Sequence, residues 1–304
     1  MDWTAEINAA ADRVKHHVVR TPVATINGFG LGHPIEMKFE QMQHTGSFKV
    51  RGAFNSMLSG DDTSFVAASG GNHGAAVGFA ANALGHKAQI FVPELAGASK
   101  IALVKSTGAG LTVVPGAYAE AAQAAQDYEA KTGAAQIHAY DAPMTVIGQG
   151  TMMREWEDQG LAADTVLIAV GGGGLISGAI AWLQGRRKIV AVEPENAPTL
   201  NRALINGAPL DVDVSGVAVN ALGARKIGQI CYDLAAAQNV LSVTVSDEAI
   251  TAAQHALWRE RRQLVEPAGA TALSALMSGA YIPEPGEKVA VLVCGANPEP
   301  DPFP

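Results

Sequence analysis

Residues 165–174 read TVLIAVGGGG, an apolar run that ends in four consecutive glycines. A continuously apolar run of this length predicts a strand that is buried on both faces, as in a parallel sheet covered by helices. The apolar segment from residue 175 onward predicts a helix that starts at the glycines. Backbone N–H groups of a glycine turn at a helix N-terminus can hold a phosphate group, although a ligand-free tight turn has the same pattern.

The spacing of these glycines helps to distinguish a dinucleotide-binding turn, a P-loop and a site for a single phosphate group. A dinucleotide-binding turn requires G-x-G-x-x-G, but the sixth position is Ile176 when counted from Gly171 and Ser177 when counted from Gly172. Glu193 lies about where the ribose-binding acid of such a site would stand, so this interpretation is weakened but stays open. No Gly-Lys-Ser/Thr follows, which excludes a P-loop. A single phosphate monoester fits the turn best.

Short β-rich runs alternate with helical patterns along the chain, which predicts an α/β fold with parallel sheets flanked by helices. Ligands of such folds bind beyond the carboxyl ends of the strands. Three unusual segments follow predicted strands and are expected to meet at one site: residues 69–74, 171–174 and 294–297. Two turn-rich crossings predict a large domain of residues 1–62 and 142–304 and a small, mobile domain of residues 63–141.

Hydroxyl side chains predict where some helices begin, because they accept the free N–H groups of a first helical turn. Thr4 is predicted to cap a first helix that runs to about Val18. Ser47 is predicted to cap a helix from Phe48 onward. A later helix is predicted over Ala224–Ala237.

The composition is that of a folded protein with a large core, since 48% of the 304 residues are hydrophobic and 16% are charged. The formal net charge of −8 argues against nucleic-acid binding. Two cysteines, Cys231 and Cys294, are typical of a reducing compartment. The N-terminus lacks the pattern of a signal peptide, and no apolar run is long enough for a membrane helix. We therefore expect a cytoplasmic protein without nucleic-acid or membrane partners.

Residues 45–52 read TGSFKVRG and place Lys49 in the first turn of a predicted helix. The positive end of the helix dipole and a dry environment both lower the pKa of a lysine amine there. An amine with a lowered pKa is a better nucleophile near neutral pH. Most single lysines are merely solvated, so the surrounding motifs decide between the two interpretations.

Four motifs in this order resemble the fold-type II pyridoxal-phosphate enzymes, in particular the branch of serine/threonine dehydratases and serine racemases. The motifs are Glu40 with residues 43–52, Ser69–Gly74, Gly171–Gly174 and Cys294-Gly295. The resemblance extends from Thr21 to Cys294. It implies a tryptophan synthase β-like α/β fold with two lobes, each a mostly parallel sheet flanked by helices. It also implies pyridoxal 5'-phosphate as the cofactor and an amino acid as the substrate.

The resemblance assigns cofactor contacts to these motifs. Lys49 would bind the cofactor as a Schiff base and later take the Cα proton of the substrate, while Phe48 would pack against the ring. Asn72 would bind the phenolic oxygen of the ring, and Cys294 would lie beside its pyridine nitrogen. A thiol is a weak donor, which favours β-elimination over transamination. The phosphate would lie against the glycine turn, formed by Gly171, Gly172, Gly173 and Gly174.

The resemblance also implies the substrate contacts. They are made by Ser69, Gly71, Asn72, His73 and Gln149, with the hydroxyl of Ser69 and backbone N–H groups receiving the substrate carboxylate. His73 has the alternative of a structural cap and receives only a supporting role. Gln149 has the alternative of a polar residue at a helix start.

A cation site is implied at Glu193, Ala197 and Thr199, where the family often binds one through side-chain and backbone oxygens. One carboxylate with neutral oxygens suits a monovalent cation better than a tightly held divalent one. The alternative for this segment is a loop bounded by prolines with a surface glutamate.

These features together predict a dehydratase, or ammonia-lyase, that converts a β-hydroxy amino acid of the L-serine or L-threonine type into a 2-oxo acid and ammonia. The alternatives on the same scaffold are an amino-acid racemase, a 3-hydroxyaspartate dehydratase and a β-replacement synthase. A nucleotide-binding regulatory protein is the alternative outside it. Gly70 stands where racemase-like members carry a second serine, so racemisation is not expected. The resemblance alone implies a homodimer, and no C-terminal regulatory domain is expected because the chain stops soon after Cys294.

Overall fold

The strands form two sheets in the computed structural model, which describes residues 1–300 and 302. They are β1 (Val23–Ile26), β2 (Ile35–Phe39), β3 (Ser64–Ala68), β4 (Lys87–Pro93), β5 (Gly110–Val114), β6 (Ala135–Gln136), β7 (Thr165–Ala169), β8 (Lys188–Pro194), β9 (Leu241–Val245) and β10 (Val289–Val293). The larger sheet has the order β1-β2-β10-β7-β8-β9, and the smaller has the order β5-β4-β3-β6. The paired strands are parallel except β1 and β2.

Helices cover both sheets. They are α1 (Trp3–Val14), α2 (Lys49–Leu58), α3 (Asn72–Ala83), α4 (Ala98–Ser106), α5 (Tyr118–Thr132), α6 (Pro143–Asp158), α7 (Gly174–Leu183), α8 (Thr199–Asn206), α9 (Val219–Leu222), α10 (Gln229–Ala237), α11 (Asp247–Arg261) and α12 (Pro267–Ser278). None of the helices in the described part of the chain combines the length and the apolarity needed to cross a bilayer.

The apolar run that ends in the glycine turn forms the centre of the larger sheet. Strand β7 lies between β10 and β8, and all five of its residues are buried. Burial on both faces explains why this strand is continuously apolar instead of alternating. The carboxyl ends of β7 and β10 lie side by side, so the glycine turn and Cys294 leave the sheet at the same edge.

The apolar core on the smaller sheet also includes residues of α1 and α2, among them Val14 and Phe54. The strands of this sheet all come from residues 64–136, and they pair in parallel. Helix α3 packs on this sheet through small buried side chains, among them Ala75, Ala76 and Ala80, which allow the helix to approach closely. The boundaries and the mobility of a separate small domain stay predictions.

The predicted cap of the first helix is wrong. Asp2, not Thr4, accepts a hydrogen bond from the backbone N–H of Ala5, and α1 ends at Val14, earlier than predicted. A charged carboxylate is a stronger acceptor than a hydroxyl at the positive end of a helix. The acidic residue therefore sets the helix start.

The predicted cap of α2 is also wrong, because the Ser47 hydroxyl accepts no N–H group of the first helical turn. Ser47 pairs with Gly295 in an isolated antiparallel bridge, and α2 begins only at Lys49. The hydroxyl of Ser47 is buried and has no hydrogen-bond partner among residues 1–300 and 302. Ser47 therefore contributes a long-range backbone contact and not a local cap.

Helix α10 begins at Gln229, five residues later than the predicted start of the helix over Ala224–Ala237. The carboxylate of Asp141 accepts the backbone N–H groups of Gln229 and Ile230. A distant side chain caps this helix, and such a cap cannot be inferred from the local sequence.

Candidate active site

Backbone pairing between two distant segments brings Lys49 to the end of β10. The N–H of Phe48 donates to the carbonyl of Cys294 at 3.3 Å, and the N–H of Ala296 donates to the carbonyl of Gly46 at 2.8 Å. With the Ser47 bridge, these bonds align the residues before α2 with the residues after β10. The first residue of α2 therefore lies beside Cys294.

The Lys49 amine points into the protein. Its Nζ donates to the carbonyl of Ala139 at 2.7 Å and lies 5.2 Å from the centre of the Phe48 ring. Burial lowers the pKa of Lys49 to about 8, although Cys294 and Glu266 oppose this shift. A larger fraction of the amine is therefore neutral near physiological pH than in an exposed lysine.

The residue next to the acceptor of Lys49 contacts the glycine turn. Tyr140, which follows Ala139, packs so tightly on the turn that a Cβ at Gly172 would lie 2.3 Å from its ring. A Cβ at Gly174 would lie 2.8 Å from the Tyr140 Cα, and Gly173 has φ +93, a value that favours glycine. No side chain in the described part of the chain caps the start of α7, so its first N–H groups stay available for an anion.

The segment Ser69–Gly74 forms a turn at the end of β3 that leads into α3. The Ser69 hydroxyl accepts the N–H of Gly71 at 3.2 Å. Helix α3 starts at Asn72, and no side chain of residues 1–300 and 302 caps the backbone N–H groups of its first turn. This combination can receive a carboxylate, because a helix N-terminus favours negative charge.

His73 in this loop lacks the properties of an acid–base group. It is buried, and its Nε2 lies 2.8 Å from the carbonyl of Ile137. Burial and the nearby charge of Lys49 lower the pKa of His73 to about 3. The imidazole is therefore neutral, and its contact ties α3 to the segment that carries Ala139.

Cys294 is buried, and its Sγ donates to the carbonyl of Ala268 at 3.4 Å. Burial raises the pKa of the Cys294 thiol well above its ordinary value. The thiol is therefore neutral and can act only as a weak donor.

Gln149 is buried on α6 and packs against α2, where a Cβ at Gly52 would lie 2.4 Å from its Nε2. Gly52 follows Lys49 by about one turn on the same helix. The Oε1 atom of Gln149 has no hydrogen-bond partner within the described residues. An acceptor without a partner in this position is available to a water or a ligand.

The predicted cation residues surround the start of α8. The Glu193 carboxylate accepts the backbone N–H groups of Leu200 at 2.7 Å and Asn201 at 2.8 Å. Burial raises the pKa of Glu193 to about 7, although these N–H groups oppose the shift. Thr199 donates through its hydroxyl to the carbonyl of Gly171 at 3.0 Å, and its N–H donates to the carbonyl of Ala197 at 3.2 Å. The group therefore supports the glycine turn.

The described residues contain no group of three or more His, Cys, Asp or Glu side chains that could hold a metal ion. The predicted cation site has only one acidic ligand and depends on neutral oxygens. Cation binding stays a prediction.

The structure adds residues that the sequence analysis missed. Glu266 contacts Asn72, and Ala139 and Tyr140 connect Lys49 with the glycine turn. Asn297, which lies in the predicted segment 294–297, also contacts Asn72. Ala139 acts through its backbone carbonyl, so no side chain marks it in the sequence. Glu266 directly precedes the proline that starts α12, and this position indicates only a helix start.

Comparison with known proteins adds an independent finding. Residues 14–295 match the family described as pyridoxal-phosphate dependent enzyme. The chain is 33% identical over 298 residues to the phenylserine dehydratase of Ralstonia pickettii, covering 94% of this chain and 90% of that protein. It is 33% identical over 301 residues to the L-threonine ammonia-lyase of Thermotoga maritima, covering 96% of this chain and 75% of that protein.

Solved structures show the same architecture. Maize serine racemase superposes with a TM-score of 0.92 at 29% identity, covering 97% of this chain and 93% of that one. The serine racemase of Dictyostelium discoideum superposes with a TM-score of 0.88 at 27% identity, covering 97% of this chain and 98% of that one. The architecture of both neighbours therefore extends over nearly all of this chain.

Proposed function

Since this chain belongs to the pyridoxal-phosphate dependent enzymes, we propose that it is a dehydratase that converts a β-hydroxy amino acid into a 2-oxo acid and ammonia. The family and the fold-type II architecture, which the four sequence motifs predict, are confirmed. The names of the relatives, a phenylserine dehydratase and an L-threonine ammonia-lyase, support the reaction class.

The position of the Lys49 amine is the observation that carries this proposal. A pyridoxal-phosphate site needs a reactive amine within reach of a phosphate site. Lys49 supplies the amine, and the glycine turn, connected to it through Ala139 and Tyr140, supplies uncapped backbone N–H groups. The residues present therefore fit the cofactor. We propose that Gly171–Gly174 hold its phosphate and that Phe48 packs on its ring.

When bound, the cofactor withdraws electrons from the Cα of an amino acid, which makes the Cα–H bond easier to break. Lys49 accepts the Cα proton, since an amine with a pKa of about 8 is a competent base near neutral pH. The first turn of α3 and the Ser69 hydroxyl bind the substrate carboxylate and thereby orient Cα toward Lys49. Asn72 offers an amide donor at the same loop.

The state of Cys294 favours loss of the β-hydroxyl. Its thiol is neutral and its single S–H donates to the carbonyl of Ala268, so it would offer the pyridine nitrogen of a bound cofactor at most a weak donor, where a carboxylate would bind a proton firmly. A cofactor held in this way would retain less of the negative charge left when Lys49 takes the Cα proton, and loss of the β-hydroxyl as water, with a proton taken up, would be favoured. This arrangement supports β-elimination over transamination.

The surroundings of Gly70 favour dehydration over racemisation. A Cβ at Gly70 would lie 2.3 Å from the Cβ of Ala96 and 2.9 Å from the Cγ1 of Val92. A serine here would therefore require a shift of the neighbouring chain. Gly70 itself offers no acid or base for the second face of the substrate.

A substrate panel tests the proposal. The holoenzyme is incubated with L-serine, L-threonine, L-phenylserine and L-threo-3-hydroxyaspartate, and ammonia and the 2-oxo acid are measured together. We expect equal amounts of both products from at least one of them without an added nucleophile. A β-replacement synthase would require the nucleophile, and a racemase would yield the D-amino acid without ammonia. Either result would contradict the proposal.

Finer features of the function are proposals as well. We propose L-threonine, L-serine and L-phenylserine as the leading substrates, since the relatives are named for two of these reactions. Binding of a monovalent cation at Glu193, Ala197 and Thr199 is proposed from the oxygen atoms gathered there. A cytoplasmic location is proposed from the cysteine content, and a small, mobile domain of residues 63–141 from the turn-rich crossings. A homodimer follows only from the family resemblance.

A further inference from the structure

The Asn72 side-chain amide is bonded at both of its ends. Its Nδ2 donates to Glu266 Oε1 at 2.6 Å, and its Oδ1 accepts from Asn297 Nδ2 at 2.8 Å. A primary amide has two N–H donors. One N–H of Asn72 therefore remains for another acceptor.

The orientation of this amide follows from its neighbours. Asn297 Nδ2 also donates to the carbonyl of Thr45 at 2.7 Å, and a carbonyl can only accept. Asn297 therefore donates to Asn72, and the side-chain oxygen of Asn72 must accept this hydrogen bond. Turning the Asn72 amide over would place N–H against N–H at Asn297 and oxygen against oxygen at Glu266. The Asn297 end thus selects this orientation, and Glu266 selects the same one when it is ionised.

Two glycines leave the space that this arrangement requires. A Cβ at Gly295 would lie 1.9 Å from Glu266 Oε1, and a Cβ at Gly46 would lie 2.7 Å from Asn297 Oδ1. Gly46 also has φ +71, a value that favours glycine. Both glycines belong to motifs that converge at the site, next to Ser47 and Cys294.

Glu266 is 3% exposed and lies among charged and titratable groups from several elements. Burial raises its pKa to about 7, while Asn72, Lys100 on α4 and Lys49 on α2 oppose the shift. The charge of Glu266 contributes to the raised pKa of Cys294, which follows β10. Glu299 interacts electrostatically with Lys100. A cavity of about 30 Å³ beside Glu266 has room for a water molecule.

We propose that Glu266 is a positioning residue, which acts with Asn297 to fix the amide of Asn72 so that its remaining N–H donates to an oxygen of the bound cofactor. This inference rests on the proposed function, because it places the cofactor at Lys49. Glu266 itself needs no contact with the cofactor. Its effect is to remove the freedom of Asn72 to rotate or to present its oxygen instead.

Reconstitution of apo-protein with pyridoxal phosphate tests this role. The dissociation constant and the visible spectrum of the complex are measured for wild type, E266A, E266Q and N297A. A lost hydrogen bond to a charged group weakens binding by about ten- to a hundredfold, which is expected for E266A. E266Q keeps an oxygen acceptor, so it should recover most of the affinity. It should also lack any spectral change that titration of Glu266 causes in the wild-type complex.

The outcomes separate this inference from the proposed function. Wild-type protein that does not bind pyridoxal phosphate would overturn both. Wild type that binds while E266A and N297A stay within about twofold of its dissociation constant would overturn only the positioning role. Thermal melting of the apo-variants checks folding. If E266A does not fold, N297A decides, since it removes the bond at the other end of the Asn72 amide.

Discussion

Helix α2 carries two cations, Lys49 and Arg51, whose surroundings differ sharply. Arg51 NH2 lies 2.8 Å from Glu40 and 3.0 Å from Glu155, and the side chain is buried. Burial alone would lower the pKa of Arg51, but the two carboxylates raise it above its ordinary value. Lys49 has a backbone carbonyl as its acceptor, and burial lowers its pKa to about 8.

The difference shows how one helix serves structure and chemistry. A buried cation such as Arg51, whose carboxylate partners outweigh the effect of burial, is held in its charged state. Removing it would leave those carboxylates buried without a compensating charge. A buried cation without a carboxylate in contact gives up its proton more easily and stays reactive. Lys38 also contacts this group, since its Nζ lies 2.6 Å from Glu155, but burial outweighs its carboxylate partners and lowers its pKa below the ordinary lysine value. Two residues after the reactive amine, Arg51 therefore belongs to a buried ionic cluster, formed by Lys38, Glu40, Arg51 and Glu155.

Replacing the reactive cation should have the largest effect. Lys49→Ala removes both the amine that binds the cofactor and the base for Cα, and we expect ammonia release to fall by at least about a thousandfold. Borohydride reduction followed by peptide mass spectrometry should locate the cofactor on Lys49 in wild type and on no residue in the variant. Cofactor attached to another lysine in wild type would contradict the assignment.

The sequence predicts the reactive cation but not its partners. The motif around Lys49, the glycine turn and the order of strands and helices depend on local patterns, and these are readable along the chain. The Ala139 carbonyl, the Glu266 contact with Asn72 and the Asp141 cap of α10 join segments far apart in the sequence. No local pattern specifies which distant group will arrive, so these contacts required the folded structure.

Replacing the fixed cation should damage the fold. Arg51→Met leaves Glu40 and Glu155 with one partner fewer, and we expect the free energy of unfolding to fall by about 3–5 kcal/mol. Urea unfolding of the apo-protein measures this change. Arg51→Lys is the matched control, since it keeps the charge but not the paired hydrogen bonds, and it should lose less. A loss below about 1 kcal/mol for Arg51→Met would show that the cluster is dispensable.

The lowered pKa of Lys49 predicts a smaller effect of opposite sign on stability. The folded apo-protein binds the Lys49 proton more weakly than the unfolded chain does, so the charged amine costs stability at pH values below about 8. Lys49→Met should therefore stabilise the apo-protein at pH 7 by about 1–3 kcal/mol. This advantage should shrink as the pH rises from 8 toward the ordinary lysine pKa near 10.5.

Urea unfolding of both apo-proteins at several pH values measures this difference. A constant difference between the two curves would indicate that the stabilisation comes from packing of the methionine and not from the charge. Lys49→Ala is the control, because it removes the charge without adding apolar surface. It should show the same dependence on pH with a smaller gain at every point.

An exposed ion pair completes the comparison and should show the smallest effect. Arg154 and Asp158 lie one turn apart on α6 with an N–O distance of 3.0 Å, and their side chains are 32% and 49% exposed. Water screens such a pair, so Asp158→Ala should change the free energy of unfolding by less than about 0.5 kcal/mol. Added salt should remove most of this difference, whereas the loss in Arg51→Met should persist because burial limits screening. Equal salt dependence in both variants would break the distinction between fixed, buried charges and solvated ones on which the comparison rests.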